Sequence, residues 1–277
     1  MAPSHDFQWR EDHPRTRIYQ IGFNKAATLS LHVFFLRNGI RSVHWDQGRL
    51  SESIHANAAH GRPLFAEYSQ CQAFTDMEHL THAQGPRSAT QDLFEAMYAQ
   101  DPGGLFIFNT RPLDAWLQSR WQQAEYVPRY RTLLGDDDDA ILDHWRAEYL
   151  SHRRRVLEFF AGSARFLYFD INHHGAAELC AFLARHGFHL DPRHYGHYHR
   201  AEQMYDQQTR NLHIDRLRDA ALYLYQHEND LKNAAVLMRM ASELRPLGAY
   251  VFQRAEAWER ELSAHAAAAV PDDDRDA

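Results

Sequence analysis

From Arg17 onward, short continuous apolar runs alternate with longer stretches in which apolar side chains recur every three or four positions. The runs predict strands buried on both faces, and the longer stretches predict amphipathic helices. "RIYQIG" is the first run. A helix follows that Thr28 and Ser30 cap or open, with Leu31, Phe34 and Phe35 on its apolar face and an end at "NGI", and "IRSVHW" is a second strand. A helical stretch near 50–60, the apolar "RPLFAEY", a short "MEHL" helix that Asp76 would cap, and the helix "ATQDLFEAMYAQ" lead to "DPGG". "LFIFNTR" then gives the strongest strand signal and passes directly into "PLDAWLQSRW", a helix with Pro112 in its first turn. "ILDHWRAEYLSHRRRVLEFF" is a long helix, "ARFLYFDI" a further buried strand, and "AAELCAFLARHG" a helix closed by Gly187. This order predicts an α/β fold with a mostly parallel central sheet flanked by helices.

Beyond about residue 203 the strand signal stops. Tyr225, Ala234, Ala241 and Pro246 fall at the spacing of one tetratricopeptide-like helical hairpin, and "VFQRAEAWEREL" is a following helix. The expected organisation is a polar lead-in over 1–16, an α/β domain over 17–202, a helical cap over 203–265 and a disordered tail over 266–277. Contact with a protein partner, if the chain makes one, is expected through these C-terminal helices.

Bulk composition narrows the function classes. The 277 residues are 44% hydrophobic and 24% charged, with a formal net charge of −7, which disfavours a general nucleic-acid binder. Cys71 and Cys180 show no metal or redox spacing, and no apolar run is long enough to span a membrane, so a cytoplasmic protein is expected. Of the 30 basic Lys and Arg residues only two are lysines, Lys25 and Lys232. Lys25 lies where the first strand passes into the first helix, a place where backbone N–H groups and a positive helix end converge on an anion.

The glycine-rich pattern of a nucleotide P-loop is absent there, because Lys25 comes three residues after Gly22. Asn24-Lys25-Ala26-Ala27-Thr28-Leu29-Ser30 instead resembles the 5′-phosphosulfate loop of sulfotransferases that use 3′-phosphoadenosine 5′-phosphosulfate. Arg111 at the end of "LFIFNTR" and Ser119 eight residues later match the pair that binds the nucleotide's 3′-phosphate in that family. A planar guanidinium at the start of the helix after a parallel strand suits a phosphate on physical grounds as well. The resemblance covers roughly residues 17–200 and implies a nucleotide-kinase-like fold, the phosphosulfate donor with 3′-phosphoadenosine 5′-phosphate as product, no metal, and a small-molecule or carbohydrate acceptor. Two positions depart from the pattern: Ala27 stands where the family has glycine, and Leu29 where it has a hydroxyl residue.

The resemblance makes Lys25 the group that neutralises the leaving oxygen and requires a base for the acceptor. Asp76 is the first choice, with Glu67 and His44 in reserve. Arg200 or His199, in "HLDPRHYGHYHR", is a further candidate for nucleotide contact. "GDDDDA" reads as a charged loop before a helix, since the glycine turn of a calcium loop is missing, and "HRRRV" as a solvated face. A degenerate sulfotransferase fold that acts as a binding module through its helical tail is the alternative.

Overall fold

The structure is a computed structural model and describes residue 10 and residues 12–81, 85–123, 125–196, 201–244 and 249–268, with side chains for all of these except 81, 201–213, 249–253 and 266–268. The chain forms two compact units, Met1–Tyr198 and His199–Ala277. No described helix is long and apolar enough to cross a membrane.

In the first unit β1 (Ile18–Gln20), α1 (Thr28–Arg37), β2 (Ser42–His44), α2 (Arg49–Ala59) and β3 (Ala73–Thr75) come first. A hairpin of β4 (Glu78–Thr81) and β5 (Gly85–Ser88) follows, then α3 (Ala89–Asp92) and α4 (Phe94–Gln100). The remainder is β6 (Leu105–Thr110), α5 (Leu113–Trp121), α6 (Tyr126–Leu134), α7 (Asp138–Phe159), β7 (Phe166–Asp170) and α8 (Ala176–Ala184). Five strands form an all-parallel sheet in the order β2-β3-β1-β6-β7. The α/β class expected from the alternation is the class observed.

Each face of the sheet is covered by a different set of helices. Ile18, Leu105, Ile107 and Phe169 pack against Leu31, Phe34 and Phe35 of α1 and Leu179, Phe182 and Leu183 of α8. Burying each of these large side chains stabilises the fold by about 2 kcal/mol. On the other face Tyr19 stacks on Phe74 and Phe106, at 5.4 and 5.0 Å between centroids, and Phe106 meets Tyr98 of α4 and Phe160 just after α7. The chain therefore leaves β1 through α1 on one face and leaves β6 toward α7 on the other. β1 and β6 are neighbours, so a crevice opens between their carboxyl ends, the switch point at which open α/β sheets bind ligands.

Several local expectations need correction. "MEHL" is not a helix: Glu78–Thr81 is the antiparallel partner of Gly85–Ser88, so Asp76 caps nothing and sits in the turn between β3 and β4. "ATQDLFEAMYAQ" breaks at Leu93, whose φ of −133° and ψ of 13° end α3 before α4 begins. The start of α1 has no side-chain cap, and the residue at the cap position is Ala27 in the left-handed region, with φ 63°. In "GDDDDA" Asp136 and Asp137 lie before α7 as expected, but Asp138 and Asp139 are its first turn, and Asp137 caps it by accepting from the N–H groups of Asp139 and Ala140.

The second unit consists of α9 (Ala201–His227), α10 (Leu231–Leu244) and α11 (Ala249–Ala268). Ile214, Ala221, Ala234, Met238, Ala241, Ala255 and Trp258 form a core of its own, and Tyr225 stacks on Trp258 at 4.6 Å. Pro246 lies outside the described residues.

Candidate functional site

The loop from Ile21 to Ala27 leaves β1 at the switch point, and its carbonyl groups are bound from behind. His152 of α7 donates from Nε2 to Ile21 O at 2.8 Å. Asn109, fully buried at the tip of β6, donates its amide to Phe23 O at 2.8 Å and Ala26 O at 2.6 Å. Trp116 of α5 donates to Asn24 O at 3.0 Å, and Arg111 Nη1 reaches Lys25 O at 3.3 Å. Phe23 stacks on Tyr149 of α7 at 4.4 Å. Gly22 is compulsory here, because a Cβ at that position would overlap the Asn109 backbone.

Binding the carbonyls leaves the opposite polarity open. Ile21 and Phe23 N–H pair with β6, but the N–H groups of Asn24 through Leu29 donate to no described residue. Lys25 (φ 58°) and Ala27 (φ 63°) are both left-handed, with Ala26 between them at negative φ. Such alternation turns successive N–H groups into one anion-binding concavity, and α1 begins immediately behind it. Non-glycine residues adopt this conformation at a cost of about 1 kcal/mol or more each. Strain is thus concentrated in the segment that carries the free donors.

Two cations accompany the loop. Lys25 Nζ donates to the neutral amide of Gln123, Oε1 at 2.8 Å. Burial lowers its pKa, Asp76 opposes that shift and the nearby Arg111 adds to it. Arg111 is partly exposed, yet its Nε is buried without a hydrogen-bond partner. Ser119 lies on α5, partly exposed, and no described residue bonds its hydroxyl.

The carboxylate side of the crevice is organised by a relay across three strand ends. Asp76 N–H donates to Gln20 Oε1 at 2.7 Å, and Gln20 Nε2 donates to Asn109 Oδ1 at 2.5 Å. Asp76 Oδ2 stands 3.5 Å from Thr28 Oγ1 and 3.6 Å from His44 Nε2. Burial raises the Asp76 carboxyl to about 6, with Lys25 and Thr28 pulling the other way. Asp76, His44, Thr28 and Lys25 are therefore one constellation. Glu67 is apart from it: the residue precedes β3 whereas Asp76 follows it, and its carboxylate accepts from Asn57 at 2.6 Å. Arg200 and His199 lie outside the described residues.

Sequence reasoning missed the supports. Gln20 and Asn109 were visible as polar residues at the ends of apolar runs, which is the signal that could have found them. The remaining support is a buried ionic box. Arg120 of α5 is fully buried, donates to Glu78 Oε1 at 2.9 Å and Glu148 Oε2 at 3.0 Å, and is surrounded by Trp116, Tyr126, Tyr130 and Trp145 at 4.8 to 5.5 Å from their ring centres. Burial alone would lower its pKa, but the two carboxylates keep it charged. Tyr126 links the box to the loop, since its hydroxyl approaches Glu78 Oε1 at 3.5 Å and accepts from the Asn24 amide. A scan against protein-family models finds no match for this chain, and a search of curated proteins finds none either.

Proposed function

We propose that the chain is a sulfotransferase that moves a sulfuryl group from 3′-phosphoadenosine 5′-phosphosulfate to a hydroxyl or amine acceptor. One observation carries the reading: six consecutive backbone N–H groups, Asn24 to Leu29, without acceptors among the described residues, beside Lys25 and Arg111. The donor set fits a doubly anionic ligand, because among the described residues Lys25 is bonded only to a neutral amide and the buried Arg111 Nε has no acceptor.

In this reading the Asn24–Ser30 loop holds the 5′-phosphosulfate, and Arg111 with Ser119 holds the 3′-phosphate. Sulfuryl transfer is an in-line displacement in which charge develops on the phosphate oxygen that leaves. Lys25 neutralises that charge, and Asp76, whose pKa is suited to a base near neutral pH, takes the acceptor's proton. Asn109 and Gln20 hold the loop and the base in register. Leu29 supplies no hydroxyl, and Ala27 occupies its left-handed conformation without the freedom of glycine.

Calorimetry with 3′-phosphoadenosine 5′-phosphate tests the reading. Binding on the micromolar scale is expected, weakened far more by Arg111→Ala than by Lys25→Ala, and no binding at millimolar nucleotide overturns it. Lys25→Ala should lower kcat by roughly two to four powers of ten. Lys25→Arg should lose most activity too, because the loop takes a compact ammonium; full activity in that variant would contradict the role of residue 25. Transfer of labelled phosphate from ATP in place of sulfate would assign kinase chemistry instead.

A degenerate fold that acts as a binding module through α9–α11 is the second reading. The separate core of that unit favours it. Nucleotide binding without sulfate transfer over a broad acceptor panel, with a protein complex lost on deletion of 205–277, would select it.

A further inference from the structure

Asn24 stands in the loop with only one branch of its side-chain amide satisfied. Arg120 Nη2 and the Tyr126 hydroxyl both donate to Glu78 Oε1, at 2.9 and 3.5 Å. With its own proton so directed, the Tyr126 oxygen accepts from Asn24 Nδ2, which fixes the orientation of the amide. Asn24 Oδ1 is the other branch, and it is buried with no hydrogen-bond partner among the described residues. The residue is only 7% exposed, so this oxygen is an acceptor withheld from solvent, at a cost of about 1–3 kcal/mol.

The unsatisfied residue borders an acidic cleft. Gln20, Asn24, Asp76, Glu78, Ser88 and Thr90 line it, and no described lysine, arginine or histidine does. The cleft is narrow, so the reacting end of an acceptor, rather than its body, is what reaches these walls. Strand order puts it on the far side of β1 from the nucleotide's phosphate pair: Asp76 follows β3, on one side of β1, whereas Arg111 follows β6, on the other. In the sulfotransferase reading, on which the inference rests, the nucleotide lies toward Arg111 and the acceptor enters beside Asp76.

We infer that the acceptor is a primary amine, selected by Asn24 Oδ1, and that the product is a sulfamate. The number of protons on the nucleophile decides between amine and alcohol. A hydroxyl brings one proton, which goes to the base Asp76 and leaves Asn24 Oδ1 buried and unpaired. A neutral primary amine brings two, one for Asp76 and one for Asn24 Oδ1, and keeps its lone pair for sulfur. The acidic walls attract an amine in its charged form, which sheds one proton to solvent before the lone pair is available. In the transfer step that lone pair forms the N–S bond. The bond from sulfur to the leaving phosphate oxygen breaks, and its electron pair stays on that oxygen beside Lys25. One N–H bond breaks, its proton passes to Asp76 and its electrons remain on nitrogen, while Asn24 Oδ1 holds the N–H that survives.

Calorimetry on the full chain saturated with 3′-phosphoadenosine 5′-phosphate tests the selection, with benzylamine and benzyl alcohol as matched probes. Benzylamine should bind at least about tenfold more tightly than the alcohol, and Asn24→Leu should remove most of that advantage. Tyr126→Phe deletes the bond to Nδ2 but keeps Oδ1, and should leave the ratio within about twofold. In the transfer assay glucosamine, which carries both groups, should give a sulfamate, identified by its cleavage in nitrous acid. Equal binding of the two probes, benzylamine binding weaker than about 100 mM, or a sulfate ester as the glucosamine product overturns the inference. An amine advantage that survives in a nucleotide-binding Asn24→Leu chain also overturns it, because the charge of the cleft would then suffice. If Asn24→Leu loses the nucleotide altogether, the two probes and the glucosamine product in the native chain decide. Failure of the native chain to bind the nucleotide is a separate result and sinks the donor reading instead.

Discussion

Lys25 and Arg120 are both cationic side chains withdrawn from water, and their surroundings differ in kind. Arg120 has two carboxylates, a phenol and four aromatic rings around it, and is fully buried in that company. Lys25 has a neutral amide, a carboxylate that acts on it only through space, and a second cation nearby. The first arrangement pairs the cation with two carboxylates, although Arg120 Nε and Trp145 Nε1 are buried without a hydrogen-bond partner among the described residues, and it binds elements of the fold together: β4, α5, α6 and α7 all contribute to it. The second leaves a charge bonded to a neutral amide and a row of N–H groups without acceptors among the described residues. A cation paired with carboxylates marks structure, and a cation beside a row of open N–H groups suits an anion.

The largest effect should come from breaking the paired side. Arg120→Ala leaves Glu78 and Glu148 buried without their cation and should cost about 3–5 kcal/mol, read from urea unfolding. Lys25→Ala should stay within about 1 kcal/mol of the native chain in the same measurement. A comparable loss from both would erase the distinction.

A smaller effect, with a sign set by pH, belongs to Asp76. Its carboxyl titrates near 6 in the fold against an ordinary value of 3.8, so between those values the folded chain holds a proton that the unfolded chain has lost. The corresponding stability is present below 3.8 and disappears as pH rises through about 6. Asp76→Asn should therefore gain on the order of 3 kcal/mol at alkaline pH, shrinking toward zero in acid. Equal gains at both ends of the range would show that burial of the charge is not the cause.

The smallest effect sharpens the picture of the loop. Ala27→Gly relieves a left-handed alanine and should stabilise the chain by less than about 1 kcal/mol, because glycine loses more entropy on folding. A clear loss of stability in thermal unfolding would mean that the Ala27 methyl group contributes packing that outweighs its strain.

The parts of this arrangement that sequence reveals are those written in consecutive residues. Lys25 and Arg111 could be placed because each follows a long apolar run and opens a helix. β3 could not, since Ala73–Thr75 stands between polar residues with no apolar run around it. The hairpin was hidden for another reason: "EHLT" and "GPRS" lack the apolar alternation of strands, and Pro86 argues against one. Glu67 and Asp76 were both candidate bases, and only knowing where β3 begins and ends separates them. The Asn24–Tyr126–Glu78–Arg120 chain joins residues 102, 48 and 42 positions apart, a separation that leaves no local pattern.

Those separations also impose an order on the making of the protein. The loop sequence is synthesised early, but the groups that grip its carbonyls come from Asn109, Arg111, Trp116 and His152, the last 131 residues after Ile21. At ~5–20 residues per second the ribosome needs on the order of ten seconds to supply them. Until then the loop has its lysine and no walls. Its left-handed turns are held by those later contacts, so the loop takes shape only after the second half of the sheet has been added, and the most local-looking motif in the sequence is among the last parts of the unit to acquire its form.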